Sequence, residues 1–208
     1  MCICVKWEVN CRRKNLYELP TGVPPTTRQL ILAENHFTNI PPLEITYLNE
    51  MVFLDWSQNE LEMDWEFIFP GIDNLSHLDL SFNKLTAISP HTFSELKRLI
   101  MLNLSGNPTI KFLDGYSFAN NPLLTYLDIS DCGLENLTIT LFLKMPSVQA
   151  LGMKYNAWNC ECVLLDFIKW MKRPLNDRIL MKQGAAYRNR SQVYHYWRQK
   201  KRWKKSAF

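Results

Sequence analysis

No stretch of this 208-residue chain approaches the roughly 18–20 continuous apolar residues that a membrane span requires. The start lacks a secretory pattern, because Met1 runs straight into Cys2, Ile3 and Cys4 without an apolar leader core. Ligand-spaced histidines are also missing: His36, His77, His91 and His195 stand far apart, and the C-x-C pairs have no histidine near them. That spacing is a poor zinc signature, so no metal and no cofactor is expected. After Cys162 there are no more cysteines. Apolar residues, by contrast, make up 47% of the chain, which excludes a disordered polymer and allows a sizeable core.

The net charge of +4 hides an asymmetry. Residues 1–171 carry 12 Lys+Arg against 19 Asp+Glu, a net of −7. Residues 172–208 carry 12 Lys+Arg against Asp177 alone, a net of +11. An acidic body is followed by a basic tail.

Asn35, Asn59, Asn83, Asn107, Cys132 and Asn156 recur at intervals of 24, 24, 24, 25 and 24. Apolar residues stand five and three positions before each: Leu30/Leu32, Leu54/Trp56, Leu78/Leu80, Leu102/Leu104, Leu127/Ile129 and Leu151/Met153. Such a period marks a stacked-repeat architecture. Each unit is expected to give one short strand, at about 53–56, 77–80, 101–104, 126–129 and 150–153, with its two leucine-type positions facing inward. No unit can bury its apolar face alone, so neighbours share a continuous core. The asparagine marks the turn after the strand, where its amide can satisfy the bent backbone of its own and the next unit. Cys132 takes that place once, as a small, weakly polar substitute. Phe93 and Phe118, in the looser second halves of the units, are expected to plug the convex side, and "NPTIKFL" holds the one inserted residue.

The frame LxxLxLxxNxL resembles the leucine-rich repeat, over roughly residues 16–158. The resemblance implies an α/β solenoid of about six repeats, right-handed and curved, lined by a parallel concave sheet. The expected organisation is a cysteine-rich cap at 1–28, repeats at 29–155, the start of a C-terminal cysteine cap at 156–171, and a basic, disordered tail at 172–208. "CICVKWEVNC" resembles the N-terminal cap of extracellular leucine-rich repeat proteins, whose pattern is C-x3-C-x-C-x(n)-C. Cys2, Cys4 and Cys11 match its last three cysteines, and one bridge to Cys11 remains possible. "NAWNCECVLLDFIKWM" resembles the C-terminal cap, but the two cysteines that the family pairs with Cys160 and Cys162 do not follow. Both caps are incomplete, which fits a partial or variant product. Losing such bridges typically costs ~2–5 kcal/mol, out of a usual margin of ~5–15 kcal/mol.

One stretch mimics catalysis. "HLDLS" puts His77, Asp79 and Ser81 on one strand face. A strand spaces them in a straight row, with no oxyanion donors and no sharp turn to expose the serine. Asp55/Ser57 and Asp128/Ser130 repeat the pattern, so it belongs to the repeat, and no enzyme is expected. The outward strand positions say more. Phe53, Asp55, His77, Asp79, Met101, Tyr126 and Asp128 tile the inner sheet and form the candidate partner-binding face, since aromatics and methionine are favoured at contacts. Sequons for N-glycosylation lie at Asn74, Asn103, Asn136 and Asn189. A glycan on Asn103 would project from the concave face and block it.

These features point to a non-enzymatic extracellular or cell-surface recognition module that binds a protein, itself a membrane protein, rather than a small molecule. Segments such as "TRQLIL", "FLDWSQN", "GNPTIKFL", "FANNPLLTYLDIS" and "WNCEC" resemble single-pass leucine-rich repeat membrane proteins. These include the γ-type auxiliary subunits of large-conductance potassium channels, of the sperm type. The resemblance implies a part in regulating a channel. Cell-adhesion and receptor-like ligand binders share most of these features. A different class of reading uses the tail: "YRNRSQVYHYWRQKKRWKK" interleaves Tyr and Trp with Arg and Lys, a composition suited to anionic lipid or nucleic acid, with the repeats as a passive scaffold.

Overall fold

Three residues per repeat are enough for a strand here, because leucine at the centre of each points into the core while its neighbours face the opposite side. The structure, a computed structural model, describes residues 1–159 and the backbone of a two-residue strand at Leu180–Met181. Its strands are β1 (Ile3–Val5), β2 (Glu8–Asn10), β3 (Gln29–Ile31), β4 (Phe53–Asp55), β5 (His77–Asp79), β6 (Met101–Asn103), β7 (Tyr126–Asp128), β8 (Ala150–Gly152) and β9 (Leu180–Met181). They form one nine-stranded sheet in strict sequence order. β1 and β2 pair antiparallel, and every later neighbour pairs parallel. This is a curved leucine-rich repeat solenoid of about six turns. Its sheet begins inside the N-terminal cap, at residue 3. Its strands stop one residue short of the spans expected from the repeat.

The register aligns equivalent positions of successive repeats. Leu30, Leu54, Leu78, Leu102, Leu127 and Leu151 stack strand upon strand, all fully or almost fully buried. Leu32, Trp56, Leu80, Leu104, Ile129 and Met153 form a second buried row two residues on. On the far side of the core run Phe69, Phe93, Phe118 and Phe142, each almost wholly buried. Phe93 lies 6.3 Å from both Phe69 and Phe118. Phe93 and Phe118 therefore fill the convex side as the repeat implies, and Phe69 and Phe142 extend the same spine. Two short helices, α1 (Pro42–Thr46) and α2 (Ile139–Leu143), lie on the returning limbs of their turns. They anchor Ile45 in one case, and Leu141 and Phe142 in the other.

Each turn leaves its strand through a left-handed residue just before the repeat asparagine or cysteine. Glu34, Gln58, Phe82, Gly106, Asp131 and Tyr155 have φ of 59°, 53°, 55°, 71°, 53° and 58°. That bend aims the asparagine inward. Asn83 Nδ2 donates to the carbonyls of Leu80 and Ser81 in its own turn and of Trp56 in the turn before, and its Oδ1 accepts from Leu61 N. Asn59 makes the corresponding set, and Asn107 the same apart from one carbonyl of its own turn. The ladder thus ties each turn to the one preceding it, not to the next as the repeat alone suggested. Buried backbone groups must find partners, and here a side chain supplies them across the inter-repeat seam. Among the described residues no helix is long and apolar enough to cross a membrane.

Candidate functional site

The same alternation that buries the leucines sets the neighbouring residues side by side on the inner sheet. Phe53, His77, Met101 and Tyr126 are in register on four adjacent strands, and Asp55, Asp79, Asn103 and Asp128 form the next column. Phe53 and His77 lie with ring centroids 6.2 Å apart. His77 Nδ1 is within 2.7 Å of Ser76 Oγ.

The acidic column is held by side-chain hydrogen bonds. Asp79 Oδ1 accepts from Ser81 N at 2.9 Å and from Ser81 Oγ at 2.6 Å. Asp55 holds Ser57 through the same two groups. Asn103 does likewise with Ser105, at 3.1 and 2.8 Å. Asp128 accepts from Ser130 N and, through Oδ2, from the hydroxyl of Tyr126 at 3.0 Å. Asn103 Nδ2 also donates to Asp79 Oδ2 at 3.2 Å, so an amide separates Asp79 from Asp128. Beyond Asp128 the column ends at Gly152, where an added Cβ would lie 2.2 Å from Asp128 Oδ1. The column runs Ile31, Asp55, Asp79, Asn103, Asp128 and Gly152, and the missing side chain of the glycine leaves room for the Asp128 carboxylate.

The sequence-predicted face is therefore assembled as one strip, with unequal exposure. Phe53, Asp55, Asp79 and Tyr126 are half-buried, whereas His77, Met101 and Asp128 are 5–9% exposed. The row after the strands divides: Ala33, Ser57 and Ser81 are buried, whereas Ser105, Ser130 and Lys154 are half-buried. His77, Asp79 and Ser81 do not make a catalytic relay. Ser81 Oγ donates directly to Asp79, and the imidazole sits against Ser76 instead. Among the described residues no cluster of His, Cys, Asp or Glu could hold a metal ion.

At the cap, Cys2 and Cys11 form a disulfide, and Cys4 is a free, exposed thiol. Glu34 fastens the cap to the first repeat through Arg12, at 2.6 Å, and Arg13. Burial pushes the Glu34 carboxyl up, but hydrogen bonds from Arg13 and Arg12 outweigh it and hold the group below its ordinary range. Cys132 is buried, and its loss of water pushes the thiol up to about 12, which leaves it an inert packing group. Asn156 completes the last ladder step, bonding Ile129 O and Met153 O, and Trp158 Nε1 donates to Met153 O. Cys160, Cys162 and Asn189 lie outside the described residues, as do the cap segment from 160 to 171 and the basic tail at 172–208 apart from Leu180–Met181.

The three described sequons differ. Asn103 is half-buried within the acidic column. Asn74 is exposed and bridges neighbouring turns, donating to Asn49 O and accepting from Arg98. Asn136 is exposed in the segment that leads to α2.

Comparison with known proteins agrees with this geometry. The leucine rich repeat family model matches residues 73–134. Leucine-rich repeat-containing protein 52 of Mus musculus is 40% identical over 166 residues, covering 80% of this chain and 53% of that protein. Tsukushi of Rattus norvegicus is 33% identical over 130 residues, covering 62% of this chain and 36% of that protein. The crystal structure of the TLR13–ssRNA13 complex superposes with a TM-score of 0.63 at 25% identity, covering 74% of this chain and 23% of that one. The chain thus spans about half the length of leucine-rich repeat-containing protein 52, and less of the others.

Proposed function

We propose that this leucine-rich repeat solenoid, a relative of disulfide-capped extracellular repeat proteins, binds a protein partner on the strip formed by Phe53, Asp55, Asp79 and Tyr126. We propose further that the partner is a membrane protein, a large-conductance potassium channel, on which the chain acts as an auxiliary subunit. The observation that carries the first part is the pre-set acidic column beside an aromatic row. The serine contacts hold Asp55 and Asp79 in place before any partner arrives, so little side-chain freedom is lost on binding. A curved sheet also offers a broad contact area that is already ordered. The second part rests on the resemblance of the repeat segments to γ-type channel subunits.

The test uses the full chain co-expressed with the channel's pore-forming subunit, read by co-purification and by the voltage dependence of the current. Asp55→Asn with Asp79→Asn is the informative variant. Asn103 already fills the same register and holds its serine in the same way, so the change removes charge and keeps both serine contacts, at the cost of the hydrogen bond from Asn103 to Asp79. Together with Phe53→Ala it should weaken association by about tenfold or more. Undiminished co-purification and an unshifted current would reject the reading.

A further inference from the structure

We infer that Asn136 carries an N-linked glycan and that Asn103 does not, so that the sugar stands away from the concave strip and leaves it open. The inference rests on the extracellular reading above, because the modification needs the secretory lumen. Asn103, Asn136 and Asn74 all satisfy the sequon, so sequence alone does not rank them.

The surroundings do. Asn103 sits at the end of β6, with Asp79 and Asp128 in register on its two flanking strands, about 4.8 Å away on each side. Both ends of its amide are committed: Nδ2 to Asp79, and Oδ1 to the N–H and hydroxyl of Ser105. The sequon hydroxyl is thus part of the same knot. The sugar is attached to the nascent chain before this knot exists, so selection acts at folding. A chain glycosylated at Asn103 must fit the first sugar between two carboxylates at a half-buried position, with one N–H of the amide that faces Asp79 replaced by the bond to the sugar.

Asn136 has none of these constraints. It is exposed, eight residues past the end of β7, and its side chain makes no hydrogen bond among the described residues. Thr138, the hydroxyl of its sequon, is exposed as well. It precedes α2 without a side-chain capping bond, so among the described residues neither side chain of the sequon pair makes a hydrogen bond that holds the fold. Leu137 between them is buried and fixes the segment, so that its neighbours point outward.

The experiment places the full chain behind a cleavable secretory leader in mammalian cells, collects the medium, removes glycans enzymatically and maps the resulting Asn-to-Asp conversion by peptide mass spectrometry. The Cys2–Cys11 peptide is mapped in the same digest as a marker of passage through an oxidising lumen. The expected result is near-complete conversion at Asn136 and none at Asn103. Asn136→Gln and, separately, Thr138→Ala should each remove one glycan from the gel mobility without reducing secretion, while Asn103→Gln leaves mobility unchanged. Bridged, secreted protein with bare Asn136, or with an occupied Asn103, overturns the inference alone. Retention of the chain inside the cell, reduced and unglycosylated, overturns it together with the extracellular reading.

Discussion

Cys132 donates its thiol to the carbonyl oxygen of Leu104 at 3.4 Å, at the step of the ladder where the neighbouring turns use an asparagine amide. An asparagine there would also bring an acceptor, which in other turns takes the N–H of the residue two places beyond the preceding asparagine. In the fourth unit the inserted residue shifts the buried apolar position from Thr109 to Ile110, whose N–H bonds to Asn107 O within its own turn instead. The same insertion drives Pro108 O against Gly133, where an added Cβ would lie 2.3 Å away. Insertion, cysteine and glycine are one local solution.

Cys132→Asn, although it restores the repeat consensus, is therefore expected to destabilise. Its buried carbonyl would have no donor, a loss of about 1–3 kcal/mol. Gly133→Ala should cost a similar ~1–3 kcal/mol by overpacking against backbone. Urea unfolding of each variant measures both. A stabilised Cys132→Asn would mean that the turn can relax to supply the donor.

Asn83→Ala tests the ladder itself. It orphans Leu61 N and removes the bonds to three carbonyls, all buried, for an expected loss of ~3 kcal/mol by the usual penalty for unpaired buried groups. Asn156→Ala, at a half-exposed step that water can reach, should cost ~1 kcal/mol or less. Chemical denaturation at fixed pH compares the two. Equal losses would mean that the ladder contributes little beyond packing.

The cap offers a contrast between two cysteines. Opening the Cys2–Cys11 bridge, which closes a nine-residue separation, should cost about 2–3 kcal/mol in the chain-entropy picture. Cys11→Ser should speed amide exchange in β1, β2 and β3 before the middle repeats respond. Cys4→Ser changes an exposed, free thiol and should leave the melting curve unmoved. Thermal melts and hydrogen exchange of the two variants check this.

Acid should loosen the cap first. Glu34 is held below its ordinary value of 4.5, so its contribution is complete above that value and is lost as pH falls through the lower folded one. Glu34→Gln is expected to be less stable than the parent at neutral pH and to converge with it in acid. Melting temperatures between pH 6 and the acid limit, taken for both chains, give the comparison.

Much of this architecture was legible because a solenoid writes its period into the chain. The leucines at 30, 54, 78, 102, 127 and 151 set strand order and register together, since only one stacking buries all of them. The candidate face was legible for the same reason, as alternation in a strand assigns faces. Three things were not. The direction of the asparagine ladder depends on the left-handed bend at Glu34, Gln58 and Phe82, which propensity does not favour at non-glycine residues. The burial of His77, Met101 and Asp128 depends on packing across the arc rather than on strand period. The coupling of Cys132 to Gly133 is a contact between turns, visible only once the insertion has a shape.

Site-specific photocrosslinking reaches the proposed contact most directly. A benzophenone side chain is placed at Phe53, on the inner strip, or at Phe112, which is 53% exposed on the segment after β6 and off the sheet. Each chain is irradiated on cells that co-express the large-conductance channel, and adducts are identified by mass spectrometry. The account predicts channel adducts from position 53 and none from position 112. Adducts from position 112 alone would contradict the concave face as the contact, and adducts from neither would contradict the channel as the partner.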